Sequence, residues 1–416
     1  MGELTQSAAP SRPVRSARWI LTRPWWPLPV ALVAAAVGIS AAVGRIRDID
    51  LYWHLLVGED LRAGLAVDAA GRGWSFAPVP DTWVSTQWLA ELLLSWLEQL
   101  GGFTAVVGYR VVTVLLTLAV LAVTTLRRRR SAAVVVPFAL GAIALASTSQ
   151  ERSQQLTYLL APLVGWWAER LLREGRVPRW WIALPLTLVW ANYHGGWVLL
   201  PMALTLTAVG RWTRHGWRDR AAGLSLLLAA GCGLVAMISP IGPANAFSAL
   251  TFARVTSQIA EWQRVAPWSD QGWQLAAVLL VVVLCWARGR TRPGGDELVL
   301  VLGLVAFGFL TYRNITPAVL MLAPICAGIL TRALPADLAR PPRWPGLALG
   351  LAGLGALAAL VIALLVPQQW QAGRPLGLFA EVAAHPGEVR VLNTYNVAGP
   401  LLWFGGRPPH VTVGID

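Results

Sequence analysis

Eleven apolar runs of about 16 to 24 residues follow one another along this chain of 416 residues. Each approaches the roughly 20 residues that an α-helix needs to cross the hydrocarbon core of a bilayer. Hydrophobic residues make up 56% of the chain and charged residues only 13%. The sequence therefore predicts an all-α polytopic membrane protein with about eleven transmembrane helices. The runs lie near 28–44, 103–126, 132–149, 156–172, 179–194, 195–210, 221–241, 271–287, 297–312, 314–331 and 345–366.

Arginine is distributed unequally between the two predicted sides of the membrane. Alternate connecting segments, beginning with the N-terminal tail, hold 22 of the 34 basic residues, and the other connecting segments hold 11. Because cytoplasmic loops carry the excess of arginine, we expect a cytoplasmic N-terminus and an extracytoplasmic C-terminus. Most of the acidic residues fall on the outer side. The net charge of +13 is thus a topological signal, and we expect membrane lipids rather than nucleic acid as partners.

The connecting segments suggest three regions. Residues 1–27 form a basic cytoplasmic tail, and residues 28–366 form the multi-spanning membrane domain. Its first outer loop, 45–102, and a second one, 242–270, are long enough to cover a cavity at the outer face. Within the first loop, residues 88–100 place apolar side chains at helical spacing, which is typical of a helix lying in the membrane interface.

Residues 367–416 are not membrane-like. The segments 388–393, 400–404 and 410–416 predict a strand, a short helix and a strand, the start of an extracytoplasmic α/β domain. Roughly fifty residues are too few to close such a domain. We therefore expect this segment to be truncated at Asp416.

Acidic residues and a histidine follow the first apolar run. If the chain becomes helical at about Asp48, then Asp50 and His54 lie one turn apart on one face, with Asp48 beside both. One interpretation is a helix cap with solvated neighbours. The other is catalysis, because ionisable groups at the rim of a span are costly and tend to mark function, and an acid beside a histidine suits the deprotonation of a hydroxyl. For the cluster as a whole we favour catalysis.

Four further residues are candidates for the same cavity. His194 lies at the tip of the hairpin predicted for 179–210, where the following glycines also explain a turn. Glu261 lies in the second outer loop, where a solvated acid is the favoured interpretation and a role in the cavity the alternative. Arg313 lies in a very short outer turn and needs an anionic partner, which a lipid phosphate offers. Arg110, about two turns inside its run, either extends outward or assists Arg313.

The sequence resembles a family at these positions. DIDLYWHLLVG (48–58) resembles the first-loop motif of a bacterial branch of the GT-C superfamily of integral-membrane glycosyltransferases. The likeness continues, in order, at WSF, WVSTQWLAELL, WANYHGGW, ISPIGP, EW, YRNITP and NTYNVAGPLLWF, which begin at 74, 83, 190, 238, 261, 312 and 393. The chain departs from that branch at Thr86-Gln87, where the branch has His-Glu, and at Ala398-Gly399-Pro400, where it has Gly-Gly-Tyr.

The resemblance implies a GT-C-like enzyme in the bacterial plasma membrane. It would transfer a sugar from a polyprenyl-phosphate donor to a glycan, lipid or protein acceptor on the outer face. Asp48 would be the acceptor-facing base or a metal ligand, Asp50 its partner, and His54 would orient them. A divalent cation, Mg²⁺ or Mn²⁺, held by Asp48 and Asp50 is one alternative. A lipid or solute transporter and a non-catalytic scaffold for envelope assembly are the alternatives to an enzyme.

Overall fold

The protein is mainly α-helical. The computed structural model describes residues 27–43, 46, 48–76, 84–126, 132–247, 260–288, 293–333, 345–366, 376–393 and 395–415. The predicted basic tail lies almost wholly outside these ranges. The membrane part contains α1 (Pro27–Ala42), α2 (Leu51–Arg62), α3 (Trp88–Leu126), α4 (Val135–Thr148), α5 (Gln154–Glu174), α6 (Trp180–Tyr193), α7 (Leu199–His215), α8 (Arg220–Ala236), α9 (Gly272–Arg288), α10 (Gly295–Leu310), α11 (Tyr312–Ala333) and α12 (Pro345–Leu365).

Helices occupy all eleven apolar runs. The predicted hairpin at 179–210 consists of α6 and α7, joined through His194 and a short 3₁₀ turn at Gly195–Val198. The segment 88–100 and the run 103–126 form the two halves of α3. These halves meet at a kink where Gly102 has φ +59°, a conformation that favours glycine.

Much of the outward-facing surface of the helices is apolar. Leu227 and Leu234 of α8 and Leu349, Leu364 and Leu365 of α12 are all more than 60% exposed. An apolar surface of this extent marks contact with a membrane rather than with water. Three helices are long and apolar enough to cross a bilayer, namely Trp88–Leu126, Tyr312–Ala333 and Leu347–Leu365. The chain is an α-helical membrane protein.

Helix α11 lies at the centre of the bundle. Every residue from Ile315 to Leu330 is buried, and α3, α4, α5, α9 and α10 pack around this helix. Its contact with α5 is very close, since a Cβ atom at Gly165 would lie 2.0 Å from the carbonyl oxygen of Met321. Arg313, in the first turn of α11, is therefore held at one end of the most enclosed helix.

The C-terminal segment packs on the first outer loop. It contains α13 (Leu376–Ala384), β1 (Val389–Asn393), α14 (Tyr395–Gly405) and β2 (Val411–Ile415), so both predicted strands are present. The strands are parallel, in register from Val389 opposite Val411 to Asn393 opposite Ile415. Ser75 pairs with Val413 on the other side of β2. Buried side chains of α2, α13, α14 and β2 form one hydrophobic core. This core holds α2 against the C-terminal segment.

Candidate functional site

Arg152 lies at the centre of a cluster of carboxylates. It occupies the short connection between α4 and α5, and its guanidinium reaches two other segments of the chain. Nη2 donates to Oδ2 of Asp50 at 2.7 Å, and Nη1 donates to Oε1 of Glu261 at 2.6 Å. Nε donates to Oδ2 of Asp48. One largely buried arginine thus joins the start of α2 to the second outer loop.

Asp48 is closed off from solvent. Its side chain is fully buried, Oδ1 accepts the backbone N–H of Asp50 at 3.0 Å, and Oδ2 accepts from Arg152. Burial raises the pKa of Asp48 to about 6, although the charge of Arg152 opposes that rise. With both oxygens occupied, Asp48 does not fit the acceptor-facing role that the resemblance implies for it.

One carboxylate oxygen of Asp50 accepts no hydrogen bond from the described residues. Helix α2 begins at Leu51, so Asp50 is the N-cap residue, but its side chain makes no capping hydrogen bond. Oδ2 is bound by Arg152, whereas Oδ1 is buried and has no hydrogen-bond partner among the described residues. A buried acceptor without a donor costs free energy, and it marks a place where a ligand can supply the missing hydrogen.

Arg152 also bears on the predicted metal site. The guanidinium contacts Oδ2 of both Asp48 and Asp50, which is where a bridging cation would bind. Among the described residues, no three histidine, cysteine, aspartate or glutamate side chains are grouped as metal ligands. The arrangement does not fit a divalent cation, because the positive charge between the two aspartates is already supplied by arginine.

His54 pairs with an acid that the sequence analysis did not select. Its Nδ1 lies 3.1 Å from Oε1 of Glu91, the buried acid near the start of α3, which also accepts from Ser85. Burial alone would lower the pKa of His54, but the hydrogen bond and charge of Glu91, together with the charges of Asp48 and Asp50, outweigh burial and raise it. His54 was expected to orient Asp48 and Asp50; its hydrogen bond is to Glu91 instead.

A glycine one turn after His54 allows this pair to form. A Cβ atom at Gly58 would lie 2.2 Å from the carbonyl oxygen of Glu91 and 2.5 Å from Cβ of Ser95. The absent side chain lets α2 rest directly on the first half of α3. His54 and Gly58 are four residues apart on one helix face, and this spacing indicates a close contact with another element beside His54, but not which element.

Arg313 belongs to the same cluster. Its guanidinium lies 5.3 Å from the ring centroid of Trp262, the residue after Glu261. When the Gln154 amide is oriented with its oxygen toward Arg313, that oxygen accepts from Nη2 at 2.8 Å. Arg313 is close enough to Glu261 and Asp50 for both acidic side chains to interact with it electrostatically. The predicted phosphate-binding arginine and the first-loop acids thus share one end of the bundle.

The side chain of Arg110 lies inside the bundle and does not reach the cluster around Arg152 and Arg313. Its side chain and that of Glu151 are both fully buried, and the two form an ion pair. The prediction that Arg110 either extends outward or assists Arg313 at a phosphate does not hold in this geometry. The reason is the tight connection before α5, which places Glu151 opposite α3 and Arg152 toward the aspartates.

His194 lies in the turn after α6 and is almost fully buried. Its Nδ1 lies 2.8 Å from Oγ1 of Thr157 and 2.9 Å from the backbone nitrogen of Gly196. Burial lowers the pKa of His194 well below its ordinary range, and the charges of Arg313 and Arg152 lower it further. His194 is thus near enough to Arg313 and Arg152 to feel their charge, and its role in the same cavity stays a prediction.

Two further hydrogen bonds join other segments of the chain close to the site. Gln87, at the position where the resembling branch has glutamate, accepts from Oγ of Ser153 at 2.5 Å. The indole nitrogen of Trp88 donates to Oδ1 of Asn192 at 2.9 Å. Most of the motifs that carry the resemblance therefore meet at one end of the bundle, although they are spread over the chain.

The chain matches no protein-family model, and no curated protein matches its sequence.

Proposed function

We propose that the protein is a GT-C-like membrane glycosyltransferase. It moves a sugar from a polyprenyl-phosphate donor to an acceptor on the outer face of the membrane. The observation that carries this proposal is the unpartnered, buried Oδ1 of Asp50, located in one cluster with Arg313. A proton acceptor and a cation close together are what transfer from a phosphate leaving group requires.

We further propose that all eleven helices in the apolar runs cross the membrane. Exposed tryptophans support this placement, because tryptophan collects at membrane–water interfaces. Trp180, Trp181 and Trp217 are exposed at the end of the bundle opposite the cluster, and Trp268 and Trp273 are exposed in and after the second outer loop. Together with the arginine distribution, they favour an inner N-terminus and an outer cluster.

In the proposed reaction four residues of the cluster have separate tasks. The acceptor hydroxyl donates to Oδ1 of Asp50, and its proton passes to that carboxylate as its oxygen bonds to the anomeric carbon. The bond between the anomeric carbon and the phosphate oxygen breaks, and polyprenyl phosphate leaves with the electron pair. Arg313 stabilises the phosphate charge. Arg152 keeps Asp50 oriented through its hydrogen bond to Oδ2, and Asp48 in turn positions Arg152.

The direct test is transfer by purified protein in proteoliposomes. The vesicles carry a panel of radiolabelled polyprenyl-phosphate sugars, and the label released from the lipid is measured. Wild type should release label, and Asp50→Asn should lower the rate by at least roughly a hundredfold, the usual scale for loss of a general base. Glu388→Gln, the same change at an exposed carboxylate after α13, is the matched control and should be normal.

Two results would refute the proposal. Equal rates for Asp50→Asn and wild type would remove Asp50 from the chemistry. Failure of wild type to use any lipid-linked sugar would favour a transporter or a scaffold instead.

A further inference from the structure

A short chain of hydrogen bonds runs from the interior of the bundle to His194. Nε1 of Trp190 donates to Oγ1 of Thr157 at 2.9 Å, and an indole nitrogen can only donate. The hydroxyl hydrogen of Thr157 is therefore free to point at Nδ1 of His194, 2.8 Å away. Trp190 is fully buried and Thr157 nearly so, which shields this chain from competing water.

A second donor reaches the same nitrogen atom. The backbone N–H of Gly196 lies 2.9 Å from Nδ1 of His194. This approach requires glycine, because a Cβ atom at position 196 would lie 2.2 Å from Oγ1 of Thr157 and 2.9 Å from Nδ1. The His-Gly-Gly sequence therefore does more than form a turn, since it delivers a main-chain donor to the imidazole.

Two donors on Nδ1 determine the state of the ring. Nδ1 must present its lone pair, so the single hydrogen of a neutral imidazole resides on Nε2. Protonation of Nδ1 would direct an N–H bond at two other donors. Arg313, His54 and Arg152, the charged or titratable groups that act most strongly on His194, are all basic and oppose a further positive charge on its ring. Nε2 has no hydrogen-bond partner among the described residues.

We infer that His194 is a neutral hydrogen-bond donor which, through Nε2–H, binds an anionic oxygen of the lipid phosphate, and that Thr157 is its positioning residue. The identity of the ligand rests on the proposed function. His194 is then not a base, because Nδ1 is occupied and Nε2 carries the hydrogen. A neutral imidazole can polarise an oxygen without adding net charge beside Arg313.

The state of the ring can be measured without any activity. Full-length protein labelled with ¹⁵N-histidine is studied by NMR in nanodiscs, and the His194 signals are assigned by their loss in His194→Gln. Wild type should show the neutral Nε2–H form at pH 7 and also below the pH at which a free histidine gains its proton, and Thr157→Ser should preserve it. Thr157→Val should weaken the preference for this form, because only the backbone N–H of Gly196 then donates to Nδ1. An imidazolium or an Nδ1–H form in folded wild type at pH 7 would overturn the inference.

Kinetics then test what the Nε2–H donor binds. Thr157→Val should raise KM for the polyprenyl-phosphate donor about tenfold, the scale of one hydrogen bond to a charged group, and leave KM for the acceptor unchanged. Thr157→Ser should return KM for the polyprenyl-phosphate donor to the wild-type value. His194→Gln keeps an N–H donor, so it should retain more activity than His194→Ala. A Thr157→Val effect on the acceptor alone would refute the role at the phosphate.

The two arms separate this inference from the proposed function. If wild type transfers no sugar but shows the neutral Nε2–H ring, the proposed function and the ligand assignment fail, and the positioning by Thr157 stands. If transfer occurs and His194 is charged, the inference alone is wrong.

Discussion

Arg152 donates through Nη2 to Oδ2 of Asp50 at 2.7 Å, although 102 residues separate them in the sequence. The same guanidinium holds Asp48 and Glu261, so the start of α2 and the segment around Glu261 share one cation. A change at Arg152 therefore acts on the packing of these segments and on Asp50 at once.

Arg152→Gln should lower the free energy of unfolding by about 3 to 5 kcal/mol, because it leaves buried carboxylates without their counter-charge. Arg152→Lys keeps the charge but loses the planar fork that reaches several carboxylates, so its loss should be smaller. Thermal unfolding in detergent measures both. Arg218→Gln, at an arginine stacked on exposed Trp217, is the control and should change little. A normal midpoint for Arg152→Gln would contradict the account of this cluster.

Asp48 should make stability depend on pH in a defined direction. Burial raises its pKa from 3.8 to about 6. Between those values the unfolded chain has released the proton and the folded protein retains it, so stability falls as pH rises. Relative to Asp48→Asn, wild type should lose up to ~3 kcal/mol between about pH 4 and pH 6, at about 1.4 kcal/mol per pKa unit. Below about pH 4 and above about pH 6, the difference in stability between wild type and Asp48→Asn should not change with pH.

Unfolding midpoints of both proteins across that range provide the measurement. A difference that grows in favour of wild type with rising pH would show that the pKa of Asp48 is lowered rather than raised.

Gly58 should be intolerant of a side chain. Gly58→Ala places a methyl group 2.2 Å from the backbone of Glu91 and should separate α2 from α3, at a cost of about 1 to 3 kcal/mol for overpacking. The matched control is Gly108→Ala in α3, where a Cβ atom meets nothing within 4 Å. Unfolding midpoints and transfer rates should fall for the first variant only. Equal tolerance at both positions would show that the close approach of the helices is not required.

The topology predicts which residues a membrane-impermeant maleimide can reach in intact cells. With Cys232, Cys285 and Cys326 replaced, a single cysteine at Glu388 should be labelled from outside. One at Trp217, which is 76% exposed at the other end of the bundle, should react only after permeabilisation. Tags at the N-terminus and at 127–130 should be protected in the same way. Labelling of the Trp217→Cys variant in intact cells would refute the proposed orientation.

The helices could be predicted because each one is encoded by a contiguous apolar run in the sequence. Run length and composition place a helix in each of the eleven apolar runs, and Gly101–Gly102 marks the kink within α3. The strands at 389–393 and 411–415 follow from their alternation and β-branched residues. The packing of this segment on α2 could not be predicted, because it depends on contacts between residues more than 300 positions apart.

The candidate site was predictable only in part, for a physical reason. Asp50, His194, Glu261 and Arg313 were selected because charged or turn-forming residues beside apolar runs are costly, and the structure brings them together. Arg152 was missed, although the argument made for Arg313 applies equally to an arginine in a six-residue connection. Pairing between distant charges leaves no periodicity in the sequence, so the role of Arg152 required the structure.

The central claim is that a lipid phosphate binds beside Arg313, and binding of sugar-free polyprenyl phosphate tests it most directly. Native mass spectrometry of purified protein can compare wild type, Arg313→Gln and, as matched control, Arg332→Gln at the opposite end of α11. The account predicts that Arg313→Gln weakens binding by about tenfold or more, the scale of a charge-assisted hydrogen bond, and that Arg332→Gln binds like wild type. Equal binding by Arg313→Gln and wild type would contradict it.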